Sequence, residues 1–528
     1  MIFSQVSYIK VGKGKSGDKR LWMEGKRMAF SGFEKGKQYK TLLNVQSRSI
    51  DLVLDDKGDK KVSGRQRYGK VNPIIDLCSS SITHYVDEVL GGVDRVRVVF
   101  MRHRIRISVH HQDQLRLDRE AQTRTNLVQG ILSEATLCVG GGISSWALHQ
   151  GFEDVGLHAI SEFVVDMEGK YLQNAMDNNP YITDDTVIYE ASLEEMEPQL
   201  VKESMRQNSL DVLNVSLPCT GHSKAGKSKN KITHAEEHSS AGTSIVGLLN
   251  IIQASNPTCV ISENVPEFKN SATKALLEGF LSKCGYVVCE GILGRELGAF
   301  EDRDRHFMVA ISKGLAKGFD LKEIEPSALP PATLAEILED IPEDSPMWKS
   351  YDYLAAKEVR DIAAGKSYRR QLVRPDTAKI GSIGKGYNRG RSTEPFLIHP
   401  TDPDKSRLLT VGEHASAKGI PQDAVAGRSV TQAHEILGQS VLFPGVRSLG
   451  RLIGAHLKET ILDVPQNQKL VEQLENAVIQ SKWSRESSLG DNESSAQQLQ
   501  FYEQLQQLAV EIRTLHQSEE EDCGAHPG

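Results

Sequence analysis

The chain of 528 residues has no apolar run approaching the length of a membrane-spanning helix. Its first residues, Met1-Ile2-Phe3-Ser4-Gln5-Val6, lack the basic-then-apolar layout of a secretory signal. Seven cysteines, odd in number and scattered, build no disulfide framework. These absences argue against a membrane partner and a stapled secreted domain, and make the cytoplasm the expected compartment. No His/Cys cluster has metal-ligand spacing. His234 and His238 stand four apart, but in a lysine-rich loop where solvated or phosphate-facing roles suit them better, so no metal is expected. Net positive charge is also missing: 63 Lys and Arg against 70 Asp and Glu leave −7. What is present, 39% hydrophobic and 25% charged residues, describes a soluble protein with a core, long enough for two to four domains.

Charge distribution says more than the total. Lys10 to Lys40 is crowded with cations, Arg95, Arg97, Arg102, Arg104 and Arg106 form a second basic run, and Glu519, Glu520, Glu521 and Asp522 make the tail acidic. A basic front and an acidic rear can coexist in a nucleic-acid enzyme whose binding face is local. Residues 1–130 read as a β-rich basic module. Arg104 to Val109 alternates charge and apolar groups with period two, and Phe33 to Lys37 reads as a tight turn. The module is loosely similar to swapped-hairpin barrels that bind DNA; packing or dimerisation is the alternative. From 131 to 317 apolar runs alternate with helical periodicities, the α/β pattern of a mostly parallel sheet covered on both faces. Residues 318–402, rich in proline and then in glycine and cations, read as an inserted domain. Residues 403–460 return to helical pattern, and 461–528 to a helical, partly disordered acidic tail with an amphipathic stretch at Phe501 to Leu515.

Two signals carry chemistry. Asp211-Val212-Leu213-Asn214-Val215 leads into Ser216-Leu217-Pro218-Cys219-Thr220-Gly221-His222-Ser223, presenting a thiol behind a proline at a strand end. About forty residues on, Ser262-Glu263-Asn264-Val265-Pro266 closes a second run. Together they point to covalent chemistry on an electron-poor ring. Upstream, Gly140-Gly141-Gly142 forms a turn between a strand and a helix where a ligand can approach backbone N–H groups. Glu162, about twenty residues on, is read as ending the next strand, where an acid accepts ribose hydroxyls; Phe163 could stack on adenine or serve the core. These residues leave S-adenosylmethionine (AdoMet) and NAD both open.

In this order, the motifs closely resemble the C5 cytosine-specific DNA methyltransferase family from about 135 to 315 and again from 405 to 455. Gly298-Ala299-Phe300-Glu301-Asp302-Arg303-Asp304-Arg305 is similar to the family's Gly-x-Pro-Gln-x-Arg-x-Arg element. Arg407 to Ala415 with Gly419-Ile420-Pro421, and Leu437-Gly438-Gln439-Ser440-Val441, match the last two motifs. Departures are Thr136 and Cys138 in the glycine motif, Ile143 for a glycine, Phe300 for Pro, Glu301 for Gln, and Thr220 and His222 in the cysteine loop.

The resemblance implies a Rossmann-like class I methyltransferase sheet with an inserted target-recognition domain and AdoMet as cofactor. It implies Cys219 as nucleophile toward C6 of a flipped cytosine, Glu263 on N3 and the exocyclic amine, Arg305 on the base, and Arg303 in support. The cofactor set is Cys138, Gly140, Gly142, Glu162, Phe163, Asp184 and Asp185, with Pro218, Gln439 and Ser440. Asn264 orders the loop. Lys224, Lys227, Lys229 and Lys231 close over the backbone with Ser223, and Lys385, Tyr387, Arg389 and Arg391 contact DNA. Double-stranded DNA is the expected partner of a monomer, or of a dimer through the N-terminal module, and a cognate restriction endonuclease is a further candidate. The alternatives are a tRNA cytosine-5 methyltransferase, a DNA-binding protein with a vestigial methyltransferase fold, and transfer of a different group to C5.

Overall fold

Val212-Leu213-Asn214-Val215 and Cys259-Val260-Ile261 place buried residues in both phases of a period-two pattern, as a strand covered on both faces requires. In the computed structural model they lie in a seven-stranded sheet. The structure describes residues 5–45, 47–67, 69–222, 242–366 and 369–462. Ser223, the loop lysines 224–231, His234, His238 and the tail helix at 501–515 lie outside the described residues.

The sheet's strands are β1 (Ile131–Leu137), β2 (His158–Asp166), β3 (Val187–Glu190), β4 (Val212–Ser216), β5 (Cys259–Asn264), β6 (Tyr286–Leu293) and β7 (Arg305–Ser312), in the order 3-2-1-4-5-7-6. Strands β1 to β5 pair in parallel, and β7 runs antiparallel to both β5 and β6. Adjacent residues feed opposite faces. Val212, Ile261 and Val309 join helices Ile143–Glu153 and Phe443–Leu462 on one side. Leu213, Val260 and Met308 join Ser244–Ser255 and Ala272–Lys283 on the other. The C-terminal helix returns to the first because glycines line the crossing: a Cβ on Gly151 would stand 2.1 Å from Arg447 O, and one on Gly450 would stand 2.5 Å from Leu148 O.

The chain divides after Asp118 rather than near 130. The reason lies in helix His111–Val128, whose later residues pack into the second unit: Arg119 Nε donates to Ser312 Oγ at 3.0 Å, and Thr123 Oγ1 donates to buried Asp211. The first unit holds a six-stranded and a four-stranded sheet around Leu21, Phe33, Ile50, Val98 and Ile107. Strand Arg104–Val109 turns Ile105 and Ile107 inward and Arg104 and Arg106 outward, as its alternation predicts.

The inserted segment forms a small sheet, Lys349–Ser350, Lys405–Arg407, Pro395–Ile398 and Gln371–Val373, flanked by helix Asp352–Ala363. Its sheet retains Lys405–Arg407, beyond the expected return at 403, because Leu397 pairs with Arg407. Tyr387, expected to touch DNA, is instead fully buried: its hydroxyl donates to Pro395 O at 2.8 Å and accepts Leu409 N–H at 2.8 Å.

A buried ion cluster ties insertion to sheet. Glu301–Asp302 pairs with Ile380–Gly381. The Glu301 carboxylate takes the fully buried Lys418 Nζ at 2.8 and 2.9 Å, and Arg303 Nη1 at 3.3 Å. Arg303 also donates to Ile383 O at 3.3 Å and Gly438 O at 3.0 Å. Desolvation, then the Arg303 charge, push the Lys418 ammonium down to about 7, against the pull of Glu301. Glu301→Gln removes the carboxylate that holds Arg303 and Lys418 and is expected to destabilise the fold by about 3–5 kcal/mol, whereas Glu301→Gln combined with Lys418→Gln recovers most of that loss. Denaturant midpoints of the two variants check this, and equal losses would contradict it.

Candidate active site

Parallel strands deliver the residues that follow them to one edge of a sheet, and in open α/β sheets ligands bind at that carboxyl edge. Ser216 of β4 stands opposite Glu263 of β5, so Pro218-Cys219 emerges beside Glu263. β7 starts at Arg305, next to the His306–Asn264 pair, and reaches the same edge from the opposite direction. Arg305 Nε lies 3.1 Å from Glu263 Oε1. Buried Asn264 donates from Nδ2 to Leu217 O at 3.0 Å and accepts Val265 N–H on Oδ1 at 2.9 Å, which staples the Pro-Cys turn to β5. Behind the turn, buried His222 meets Phe268 edge-on at 4.9 Å.

The Cys219 thiol is exposed at the start of the short turn Cys219–Gly221. Desolvation by the crevice walls, then the Glu263 carboxylate, push it above its ordinary value, while Arg305 and Arg303 pull it back. Cys259, fully buried in β5, is pushed far up by burial alone and has no access to a reactant. Among the described residues, this edge thus presents the exposed Cys219 thiol beside a carboxylate oriented by a guanidinium. Arg303, read with the catalytic set, spends its described hydrogen bonds on two carbonyls and Glu301, so the structure gives it a positioning place.

The cofactor side departs from the sequence expectation at three points. Phe163-Val164-Val165 are all fully buried and carry β2 on to Asp166, so Glu162 is not at a strand end. Glu162 sits where the β1–β2 register shifts, 3% exposed, accepting Arg206 N–H at 3.2 Å and lying 3.4 Å from Arg206 Nη1. Phe163 belongs to the core with Leu213 and Val215 and presents no face to a ligand. Asp184 and Asp185 precede β3, at the amino edge of the sheet, and Asp185 reaches Arg206 at 3.8 Å.

The acid at the carboxyl edge of β2 is Asp166, whose Oδ2 accepts Gly140 N–H at 2.8 Å and whose Oδ1 accepts Glu168 N–H at 2.9 Å. Burial pushes its carboxyl up, opposed by those backbone N–H groups. Met167 follows with 56% of its surface exposed, and Glu190 ends β3 at the same edge. Continuation of the apolar run to Val165 was the signal that would have found Asp166. Cys138 closes β1 with positive φ, Gly140 (φ 54°) has open space where a Cβ would stand, and Gly142 caps helix Ile143–Glu153. Gly141 is packed by Ile436 of helix Val430–Gln439. At that helix's end Ser440 Oγ donates to Ile436 O at 2.7 Å and Gln439 Nε2 to Glu435 O at 3.2 Å. A carboxylate suited to a ribose diol, open backbone at a helix N-terminus and an exposed thioether fit an adenosyl sulfonium.

The strand order 3-2-1-4-5-7-6, with β7 alone reversed, defines a Rossmann-like class I methyltransferase fold. The family model for C-5 cytosine-specific DNA methylase matches residues 148–455, more than half of the chain, and the chain belongs to that family. Fold and family together identify AdoMet as the cofactor. The chain is 21% identical to the Type II methyltransferase M.SsoII of Shigella sonnei over 46% of its own length and 63% of that protein. It is 25% identical to the Type II methyltransferase M.MspI of a Moraxella species over 48% and 59%. The match thus spans about three-fifths of these curated relatives. Among solved structures, the S. pombe Dnmt2 methyltransferase aligns with a TM-score of 0.48 and 16% identity, covering 62% of this chain and 99% of that one. No helix among the described residues is long and apolar enough to cross a membrane.

Two outcomes follow from this geometry. Glu263→Gln removes the charge that raises the thiol, so Cys219 alkylation by iodoacetamide at pH 8 should quicken severalfold; an unchanged or slower rate would show that the carboxylate does not set the thiol. Asp166→Ala should weaken AdoMet binding at least tenfold by titration calorimetry, with Asp184→Ala and Asp185→Ala near wild type.

Proposed function

We propose that the protein transfers the methyl group of AdoMet to C5 of a cytosine in double-stranded DNA. The observation that carries this reading is the convergence of Cys219, Glu263 and Arg305 on one sheet edge, next to the edge residues Asp166 and Gly140. C5 of cytosine is a poor nucleophile until a group adds at C6. The Cys219 thiolate forms that S–C6 bond, pushing an electron pair through the ring toward N3, where a proton shared with Glu263, held by Arg305, meets the developing charge and passes back to the carboxylate when the ring is restored. C5 becomes an enamine-type carbon able to take an electrophilic methyl, which is what bound AdoMet supplies. Loss of the C5 proton to a base then returns the electron pair, breaks the S–C6 bond and frees Cys219. A thiol cannot reach C6 inside a stacked duplex, so the base must leave the helix.

Support for DNA over RNA comes from the family description and from relatives that are Type II methyltransferases. The insertion adds exposed Lys385, Arg389 and Arg391, cations of the kind that meet phosphates and base edges. Lys385 rests 3.2 Å from Glu435 and over the Tyr171 ring, which ties that exposed cation to the catalytic unit. Incubation with methyl-labelled AdoMet and either duplex DNA or tRNA tests the reading: label is expected at cytosine C5 of DNA and to vanish with Cys219→Ala while AdoMet binding persists. Label confined to tRNA would transfer the same chemistry to RNA, and no label on either would favour a DNA-binding protein with a silent site.

A further inference from the structure

The first unit carries a charge its size does not explain. Residues 1–118 hold 23 Lys and Arg against 13 Asp and Glu, a net of +10, so the remaining residues carry −17 and the whole chain nets −7. Within the unit, five of the cations share one sheet face. Cross-strand pairing fixes which side chains share a face of the six-stranded sheet. Lys10 pairs with Arg95, Tyr8 with Arg97, and Val6 with Val99. Val99 pairs with Arg106 and Met101 with Arg104, and on the next strand Arg106 pairs with Asp51. The alternate residues Val96, Val98, Ile105 and Ile107 face the core. The outward face therefore carries Lys10, Arg95, Arg97, Arg104 and Arg106 across three adjacent strands.

Asp51, on the neighbouring strand, is already engaged. Asp51 is 3% exposed and receives two-point bonds from both Arg104 and Arg106 at 2.7–3.1 Å, while those guanidiniums stay about 40% exposed. Asp51 thus fixes two arginines side by side with N–H donors still outward, a preorganised pair for anionic oxygens. Lys10, Arg95 and Arg97 are exposed beside them. A second copy of this chain is the poorer occupant, since it would set five cations against five. A base-stacking platform for single strands is also missing among the described residues. Tyr8 is the sole aromatic on these strands' outer face, and its ring is already packed on His110 at 4.7 Å.

We propose that this outer face, centred on Arg95, Arg97, Arg104 and Arg106, binds the phosphate backbone of double-stranded DNA without reading its sequence. Contacts from rigid strands to phosphates position a duplex and carry no base information. The face gives the protein an electrostatic hold on DNA that is independent of cofactor and of the Cys219 edge.

The test uses the full chain in a Cys219→Ala background without AdoMet, so that turnover plays no part. Binding to a fluorescent duplex of arbitrary sequence is followed by anisotropy across salt concentrations. Lys10→Ala/Arg95→Ala/Arg97→Ala should lower affinity about tenfold or more near 0.1 M salt and flatten the log–log salt dependence by about 2.7, roughly 0.9 for each phosphate no longer neutralised. Arg95→Lys/Arg97→Lys, which keeps the charge, should restore the wild-type slope and guards against misfolding as the cause. Arg65→Ala/Lys70→Ala, on the four-stranded sheet, should change the slope little. A wild-type slope in the triple variant, an equal effect from the four-stranded sheet, or equal or tighter binding of duplex RNA would overturn the proposal. Failure here leaves the methyl-transfer reading intact, and failure of methyl transfer leaves this binding measurable.

Discussion

The site depends on the register between β4 and β5. Parallel pairing sets Ser216 against Glu263, and the Asn264 to Leu217 hydrogen bond extends that register past the end of the ladder. A slip of one residue would turn Glu263 to the other face of the sheet. The apolar pattern resists it, because Val212 and Ile261 belong to one core and Leu213 and Val260 to the other. A loop cysteine would ordinarily be the least well placed group in a site. Here a buried amide fixes the carbonyl two residues before it, so the thiol's position is inherited from the sheet.

A second constraint works behind the edge. Arg305 orients Glu263, and two residues earlier on the same chain Arg303 is anchored to the carbonyls of Ile383 and Gly438. One short segment, Glu301 to Arg305, thereby touches the insertion, the helix Val430–Gln439 and the reacting edge. The family element has glutamine where this chain has Glu301. The fully buried Lys418 accounts for the change: a carboxylate between two cations is tolerable where a lone one is not. Phe300, in place of the family's proline, fills the insertion's core with Ile380, Ile383 and Leu409. Both departures look like losses of function in one dimension and are packing solutions in three.

Much of this was legible in order along the chain. Runs ending at Val215 and Ser262 announced strands, and Pro-Cys and Glu-Asn-Val announced their edges. The α/β class followed from alternation between such runs and helical periods. Where a strand stops was harder to read. A charged residue inside a buried strand looks like its end, and Glu162, satisfied by Arg206 at a register shift, imitates one. Tyr387 misleads in the opposite sense. Its basic, glycine-rich neighbours suggest a nucleic-acid loop, yet its hydroxyl has two backbone partners that lie eight and twenty-two residues away. Lys418 gave no local signal, because its partner is 117 residues earlier.

The resting site contains an electrostatic conflict that its chemistry can use. In the proposed reaction Glu263 works beside the ring, but desolvation, and then its negative charge, disfavour the Cys219 thiolate. Arg305 faces both groups and, in the free protein, is engaged with the carboxylate. In the proposed reaction the exocyclic amine of a cytosine would donate to Glu263, so that part of the carboxylate's charge is met by the base rather than felt by the sulfur. The guanidinium's field then weighs more toward the thiolate. The exposed thiol thus stands under opposing influences, burial and the Glu263 carboxylate against its thiolate and the Arg305 and Arg303 guanidiniums for it.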